Sequence, residues 1–359
     1  MTGQGHHTFV AELARFAAGH ADPRVTGIAE RAAAPLRVHV RGRPKVGCAT
    51  VARALAGAGT PSGISVTSAS AGADVVVYVI AEVVKPEDAD AIPAAGRPVV
   101  AVLNKADLAG SLSGRTGEAP TVAARARCSE LSALVGLPIE PMIGLLAVAA
   151  LDDLGGELWA ALGALAAAPG GANCLDGSFA GFLAANIPVP RDVRLRLLDT
   201  LDLFGTALGI AAVRRGGTPA QVRALLRRIS GVDAVLQRIS AVGAEARYRR
   251  VLAAVAELEA LAVAEEGNVV AIGAFLSCDD TVVARMAAAI DVAEAAGLDP
   301  GPRDDDLAAH LARAVRWQGY SVGRPGPASD LRRACGADIA RGSLRLWSRA
   351  GGSVPGESR

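Results

Sequence analysis

The hydrophobic positions of the chain change their period near residue 150. Before that point, short runs that are apolar on both faces alternate with stretches of helical periodicity. This rhythm is typical of a parallel sheet covered by helices. The predicted strands are 36–40, 64–67, 74–80, 99–103 and 138–142, and the predicted helices between them are 51–58, 85–95 and 121–136.

After about residue 150 the helical periodicity continues almost without interruption, with clusters of glycine and proline between the helices. The predicted helices are 153–167, 191–214, 218–238, 242–264, 279–296, 303–318 and 328–348. Another helix or helix pair, broken near Asp22-Pro23, precedes the first strand. We therefore predict a helical segment at 1–35, an α/β domain at 36–150, a helical domain at 151–350 and a loose tail at 351–359.

The composition excludes two broad classes of protein. The chain has 359 residues, 51% of them hydrophobic, and a net charge of only +1, which argues against a disordered chain. The near-neutral charge provides no electrostatic footprint for nucleic acid, so no nucleic-acid partner is predicted. Aromatic residues are only 3% of the chain, so the core must consist mainly of alanine, valine and leucine.

The five cysteines, Cys48, Cys128, Cys174, Cys278 and Cys335, are widely spaced. With no C-x-x-C pair, they suggest neither a disulfide framework nor a zinc site, and no metal ligand is assigned. The N-terminus has no signal-peptide pattern, and we find no membrane-spanning apolar run of 18 residues. The expected location is the cytoplasm, with peripheral membrane contact as the alternative.

The most specific motif is Asn104-Lys105-Ala106-Asp107, directly after the strand predicted at 99–103. An ionised carboxylate at Asp107 can accept both N1–H and the exocyclic amine of guanine, which adenine does not present side by side. Asn104 would brace the loop, and the stem of Lys105 would cover one face of the base. The simpler alternative is a turn whose Asn and Asp cap the next helix.

A second motif, from Gly42 to Thr50, lies between a predicted strand and a predicted helix. It matches the phosphate-binding template G-x-x-x-x-G-K-[ST] at its glycines, Gly42 and Gly47. Cys48 takes the place of the lysine and Ala49 that of the Mg²⁺-binding hydroxyl, so binding of Mg²⁺ is in doubt. Lys45 and Thr50 are candidate substitutes for the lost lysine and hydroxyl. The alternative is an ordinary glycine-containing turn between strand and helix.

The order of these motifs, followed by a helical half, resembles the dynamin-like branch of the P-loop GTPases, and more narrowly the actinobacterial dynamin-like proteins. Pro141 to Ala147, which includes Gly144, lies where that family has its last base-contacting loop. The resemblance implies an α/β P-loop NTPase-like domain with a mostly parallel sheet, plus an all-α helical domain. It also implies GTP or GDP as ligand, a sibling dynamin-like GTPase as partner, and contact with a membrane.

The departures from that family concern the catalytic parts. No D-x-x-G motif lies between Val51 and Ala73, where the family carries it, and a switch threonine is missing too. Without these parts nothing positions metal and water for hydrolysis, and no catalytic residue is assigned. We therefore predict a guanine-nucleotide-binding or partner protein that hydrolyses GTP poorly or not at all. The alternatives are a slow but functional GTPase, and a structural or membrane-surface helical protein with a relic nucleotide domain.

Overall fold

The computed structural model describes residues 4–110, 118–168, 178–264, 266–302, 306–322 and 327–352. The chain packs as two compact units. One consists of residues 37–239. The other combines residues 1–36 with residues 240–359. The predicted boundaries at residues 35, 150 and 350 stay predictions, and most of the predicted tail lies outside the described residues.

A five-stranded sheet forms the centre of the unit at 37–239. Its strands are β1 (Leu36–Gly42), β2 (Ile64–Thr67), β3 (Val75–Ala81), β4 (Val99–Asn104) and β5 (Ile139–Pro141), and their order in the sheet is β2-β1-β3-β4-β5. The pairings β1–β3, β3–β4 and β4–β5 are parallel. This order has a switch point between β1 and β3, and parallel sheets bind ligands beyond the carboxyl ends of their strands.

The central strands owe their position to their composition. β3 reads VVVYVIA, and its first six residues are buried. β-Branched side chains fit a pleated surface that is covered on both faces. The register pairs Tyr78 with Ala101 and Ala81 with Asn104. The loops after β3 and β4 therefore start side by side at one edge of the sheet.

Helices join and cover these strands. In chain order they are α1 (Gln4–Gly19), α2 (Pro23–Ala33), α3 (Cys48–Gly59), α4 (Pro86–Ala91), α5 (Pro120–Val135), α6 (Gly144–Ala149), α7 (Gly155–Ala167), α8 (Phe179–Ala184), α9 (Arg191–Arg214), α10 (Pro219–Ser230) and α11 (Val232–Val242). Leucines of α7, α9 and α10 share one apolar core with Ala106, Ile143 and Leu146. Part of the predicted helical domain is thus packed directly against the loops of the α/β part.

The other unit consists of helices. It contains α1 and α2 together with α12 (Ala244–Ala264), α13 (Glu266–Ser277), α14 (Asp279–Ala295), α15 (Leu307–Ser321) and α16 (Pro327–Arg349). The buried Tyr248 hydroxyl donates to Asp338 Oδ2 at 2.9 Å, and Arg285 Nη2 donates to Asp338 Oδ1 at 2.7 Å. This network satisfies the buried carboxylate, as a low-dielectric interior requires. No helix in the described residues has the length and hydropathy needed to cross a bilayer.

The predicted elements agree with most of these observed ones. All five strands are present, and the helix predicted at 191–214 has the same ends as α9, although α9 is interrupted by non-helical backbone at Asp202. One prediction is wrong, because the helix expected over 218–238 is two helices, α10 and α11. Gly231 between them is left-handed (φ 77°), and a Cβ there would lie 2.4 Å from the Pro141 carbonyl oxygen. The short helices α6 and α8, and α13, are additions that periodicity did not show.

A buried histidine makes the stability of the helical unit depend on pH. His6 is almost fully buried, and its Nε2 lies 3.0 Å from the Ala32 carbonyl oxygen. Burial, followed by the charge of Arg247, lowers the pKa of His6 to about 4. Because protonation is disfavoured in the folded state, this stability is complete above the ordinary pKa of 6.5 and is lost as the pH falls towards 4.

We expect the free energy of unfolding to fall by about 2 kcal/mol between pH 7 and pH 5 through this residue. The measurement is urea denaturation at both pH values, for the native protein and for His6→Gln. The variant retains an amide donor for Ala32 but cannot take up the proton, so its loss should be smaller. An equal loss in both proteins would exclude His6 as the cause.

Candidate functional site

The loop after β1 has the backbone of an anion-binding turn. Lys45 (φ 70°) and Gly47 (φ 93°) are both left-handed, on either side of the buried Val46. Such alternation turns successive N–H groups towards one concave side. Gly47 is the N-cap of α3, whose first N–H groups have no partner within the helix. An anion is the natural ligand for such a turn.

Both motif glycines are required by close contacts. A Cβ on Gly42 would lie 2.4 Å from the Val79 carbonyl oxygen, because β1 and β3 approach closely there. A Cβ on Gly47 would lie 2.4 Å from Nδ2 of Asn104, and the positive φ of Gly47 is itself unfavourable for a side chain. The glycine spacing therefore has a structural reason at both ends of the loop.

Asn104 joins three loops through one buried side-chain amide. Its Nδ2 donates to the Val46 carbonyl oxygen at 2.9 Å, and its Oδ1 accepts from the Gly144 N–H at 2.9 Å. The side chain is only 3% exposed. The loops after β1, β4 and β5 are thus held together at the carboxyl edge of the sheet. Gly144 has to be small here, because a Cβ would lie 2.9 Å from Asn104 Oδ1.

The remaining residues of the motif Asn104 to Asp107 follow Asn104 in a short turn. Lys105 is left-handed (φ 57°) and exposed, whereas Ala106 is buried and its N–H donates to the Met142 carbonyl oxygen at 3.2 Å. Asp107 is half-buried. No basic side chain of the described residues forms a salt bridge with it. Its carboxylate is thus available to a ligand that donates hydrogen bonds.

The pKa of Asp107 is raised from its ordinary value. Burial is the largest cause, and the hydrogen bond from the residue's own backbone N–H opposes it; the negative charge of Asp202 in α9 then raises the pKa further, while the charge of Lys105 lowers it. Ionising this carboxylate in the free protein is therefore unfavourable, and a ligand with N–H donors would relieve that cost. Asp202 lies in α9, and the sequence analysis did not assign it to the site.

The loop after β1 lacks the side-chain groups that the phosphate-binding template supplies. Cys48 begins α3, and burial raises the pKa of its thiol, so it carries no charge at neutral pH. Ala49 has no hydroxyl. Thr50 is half-buried, and its methyl would lie 3.4 Å from a Cβ on Gly144. Lys45 is exposed and has no ion pair among the described residues, which leaves its ammonium free to reach an anion.

Another residue of this loop is engaged in a network that the sequence analysis missed. Arg43 Nε donates to both carboxylate oxygens of Asp88, at 2.9 and 2.8 Å. The Tyr78 hydroxyl and the Lys85 N–H donate to the same carboxylate at 3.0 and 2.9 Å. Asp88 is completely buried. The network holds the loop after β1 against the segment that follows β3.

Tyr78 supplies this network with a stable donor. Burial and then the hydrogen bond to Asp88 raise the pKa of Tyr78 to about 12, so its hydroxyl remains protonated at physiological pH. An acid at position 88, three residues after Lys85, is a typical helix-start signal. This local signal does not show that Asp88 pairs with Arg43, which lies 45 residues earlier in the chain.

Two cavities border the turn after β4. One, of about 450 Å³, is lined by Lys105 and Leu108 together with Glu82 and Arg127. The other, of about 590 Å³, lies between α5, β5 and the α10–α11 junction, and Ala106 and Met142 line it. Asp107 lines neither of them. A base bound at Asp107 would therefore lie outside both cavities.

Comparison of the chain with protein-family models and with curated proteins returns no match. The interpretation of the site therefore depends on its own geometry and on the motifs.

The structure brings most of the predicted site residues to one edge of the sheet. The loop of Gly42, Lys45, Gly47, Cys48, Ala49 and Thr50 meets Asn104 and Gly144 there. Lys105 and Asp107 follow Asn104 directly, but no hydrogen bond joins either of them to the loop after β1 in the described residues. In the described residues, no group of three or more His, Cys, Asp or Glu side chains is arranged to hold a metal ion.

Proposed function

We propose that this protein binds guanine nucleotides and does not hydrolyse GTP at a useful rate. The observation that supports this proposal is the double hydrogen bond of Asn104. It couples the anion-binding turn at Val46 to the turn that carries Asp107, and both to the loop at Gly144. A nucleotide needs two such places at once, one for its phosphates and one for its base. A helix-capping turn alone would not need an amide that reaches the loop after β1.

The base side supports guanine rather than adenine. Asp107 offers two oxygens without a basic partner in the described residues, and its pKa is raised by burial. A carboxylate in that state is stabilised by a pair of N–H donors, which guanine has and adenine lacks. Adenine would leave the carboxylate buried and unpaired.

The phosphate side supports binding without catalysis. The nest formed around Lys45 and Gly47 can hold an anion through its backbone. The positions that would stabilise transferred charge contain a neutral thiol at Cys48 and a methyl group at Ala49. Arg43, the nearest strong cation in the loop, is paired with Asp88. Efficient phosphoryl transfer needs positively charged groups that are unpaired and held at the transferred phosphate.

Membership of the dynamin-like P-loop GTPases, a sibling GTPase as partner and peripheral membrane contact all depend on the resemblance. They stay predictions. GTP and GDP are the proposed ligands, and Mg²⁺ stays in doubt.

Replacing one carboxylate oxygen of Asp107 by an amide nitrogen tests the proposal. In Asp107→Asn the side chain has one acceptor and one donor, which matches xanthine, whose C2 carbonyl replaces the guanine amine. We expect the native protein to bind GDP and not ADP. In the variant, GDP affinity should fall about 100-fold and affinity for xanthosine diphosphate should rise, since misplaced buried polar groups are costly. Isothermal titration calorimetry with the three diphosphates measures this.

The control is Asp153→Asn, which removes an exposed carboxylate from the same unit. It should leave all affinities unchanged. Without nucleotide, Asp107→Asn should also unfold at higher urea concentration than the native protein, because it removes an unfavourable charge. If the native protein shows no preference for guanine, the proposal is wrong. Phosphate release from GTP at the rate of an ordinary small GTPase would instead favour the slow-GTPase alternative.

A further inference from the structure

The larger of the two cavities beside the turn after β4 exists because one stripe of α5 consists of small side chains. They recur every three or four residues, so they lie on one face of the helix. These cavity-lining residues are Thr121, Ala124, Cys128 and Ser132. Leucine or isoleucine on this face would fill the space, whereas the small side chains leave about 590 Å³ between α5, β5 and the α10–α11 junction. We call this space the α5–β5 cavity.

Hydrogen bonds fix both walls of the α5–β5 cavity. Ser132 Oγ donates to the Cys128 carbonyl oxygen at 2.6 Å and accepts from the Ile139 N–H at 3.0 Å, which holds α5 to β5. On the other side, the Ile143 N–H donates to the Ser230 carbonyl oxygen at 2.8 Å. The cavity is therefore preformed, and a ligand would not have to order its walls.

A small molecule fits this space better than an added β-strand. β5 is the last strand of the sheet, and its residues line the cavity. The Ile139 N–H is already bound to Ser132, and Pro138 and Pro141 have no N–H to offer a peptide backbone. A volume of about 590 Å³, in contrast, is typical of small-molecule sites.

The cavity combines an apolar floor with cations at its opening. Ile139, Met142 and Ile143 line it and are buried. Arg125 and Arg228 line it as well, but their side chains are exposed. Neither arginine forms a salt bridge with an acid in the described part of the chain. Their guanidinium groups are therefore free to bind an anion at the opening.

Of the two acids that line the cavity, one is already paired. Asp233 Oδ1 accepts from Arg227 at 2.8 Å, and Arg227 does not line the cavity. Glu140 is half-buried and has no basic partner among the described residues. Because two unpaired arginines outweigh Glu140, the cavity favours a ligand with a negative group and an apolar body.

We propose that the α5–β5 cavity binds a small organic anion. Arg125 and Arg228 hold its carboxylate, sulfonate or phosphate group, and its hydrocarbon part lies on the apolar floor. Arginine suits such groups because it can donate two parallel N–H bonds to them. Asp107 does not line this cavity, so the site is separate from the proposed nucleotide site, and the inference does not depend on the proposed function.

Anilinonaphthalene sulfonate is the probe, because it joins an apolar body to one anionic group and fluoresces when it leaves water. Its uncharged parent, N-phenylnaphthylamine, has the same body without the sulfonate. Fluorescence titrations with both probes compare the native protein with Arg125→Gln, Arg228→Gln and Glu140→Gln. Arg97→Gln is the matched control, since Arg97 is an exposed arginine of the same unit that does not line the cavity.

The expected changes in affinity have opposite signs. Each arginine variant should weaken binding of the sulfonate about fivefold, and Glu140→Gln should tighten it about threefold, since single charges near solvent contribute modestly. The uncharged probe should respond to none of these changes. Arg97→Gln should match the native protein for both probes. Unchanged sulfonate affinity in both arginine variants would overturn the inference.

Two further substitutions test whether the probes bind in the cavity itself. Ala234→Leu and Ser129→Leu enlarge exposed side chains that line it, so one variant reports even if the other is unstable. Each should abolish binding of both probes. Native binding in both leucine variants would place the probes elsewhere and overturn the inference. Displacement of the sulfonate by GDP would also overturn it, because the probe would then occupy the proposed nucleotide site.

Discussion

Replacing Asn104 by alanine is expected to lower the free energy of unfolding by about 2–4 kcal/mol and to abolish guanine-nucleotide binding. The substitution removes both hydrogen bonds of the buried amide. It leaves the Val46 carbonyl and the Gly144 N–H without their partner in a region from which water is excluded. The loss is larger than that of an ordinary hydrogen bond because two buried backbone groups remain unsatisfied.

The loss of binding has a separate cause. Without the amide, the loop at Val46 and the loop at Gly144 are no longer held to the turn of Asp107. The two loops that we propose to bind the base and the phosphates would then not keep the distance that one nucleotide needs. A displacement of about 1 Å is enough to weaken a preorganised site severely.

Urea denaturation and GDP calorimetry of the same samples measure the two effects. Asn186→Ala is the control, because Asn186 is exposed, and it should change neither quantity. Asn104→Asp separates the two bonds, since a carboxylate can still accept from Gly144 but cannot donate to Val46. Native stability in Asn104→Ala would show that the three loops hold together without this amide.

Replacing Asp88 by alanine is expected to cost about 3–5 kcal/mol of unfolding free energy. The completely buried carboxylate accepts from Arg43, Tyr78 and the Lys85 N–H. Alanine would leave the Arg43 guanidinium, whose side chain is only 20% exposed, without its counterion. An uncompensated buried charge is the main cost, and the lost hydrogen bonds add to it.

Two further variants separate the charge from the hydrogen bonds. Tyr78→Phe removes one donor only and should cost about 1 kcal/mol. The double variant Arg43→Met, Asp88→Leu removes both charges together, and we expect it to be more stable than Asp88→Ala alone, because apolar pairs often replace buried ion pairs at little cost. Urea denaturation compares all of them. A double variant as unstable as Asp88→Ala would show that the network acts through shape and not through charge.

The same network has a consequence for nucleotide binding. Arg43 lies in the loop that we propose to hold the phosphates, so its release in Asp88→Ala would place a free cation near that proposed phosphate position. Stability and phosphate affinity can therefore change in opposite directions in this variant.

Much of the fold could be predicted from the chain because its signals are local. The valine-rich run of β3 and the leucine periodicity of α9 each lie within one element, and both elements were found at the predicted places. The glycines at 42 and 47 and the motif Asn104 to Asp107 follow strands directly. Residues that directly follow a strand of a parallel sheet lie at its carboxyl edge, and this placement does not depend on distant parts of the chain.

Other features had no local signal. The helices α1 and α2 pack with helices that begin more than 200 residues later in the chain, whereas the break at Gly231 did have a local signal, a glycine after two arginines in the last helical turn, which the periodicity analysis overlooked. The order of the strands, which places β3 between β1 and β4, cannot be deduced from the strands themselves. Short helices such as α6 have too few residues for a period to be visible.

By itself, the sequence predicted the strands, most of the long helices and the chemistry of each loop, since these depend on neighbours within a few residues. The tertiary structure alone decided which distant groups meet: Arg43 with Asp88, and Asn104 with Val46. Such pairs arise from strand order, which brings together residues 45 and 58 positions apart. The sequence therefore supplies the reactive groups of the candidate site. The fold decides which of these groups lie together, which charges face one another and how far apart they are.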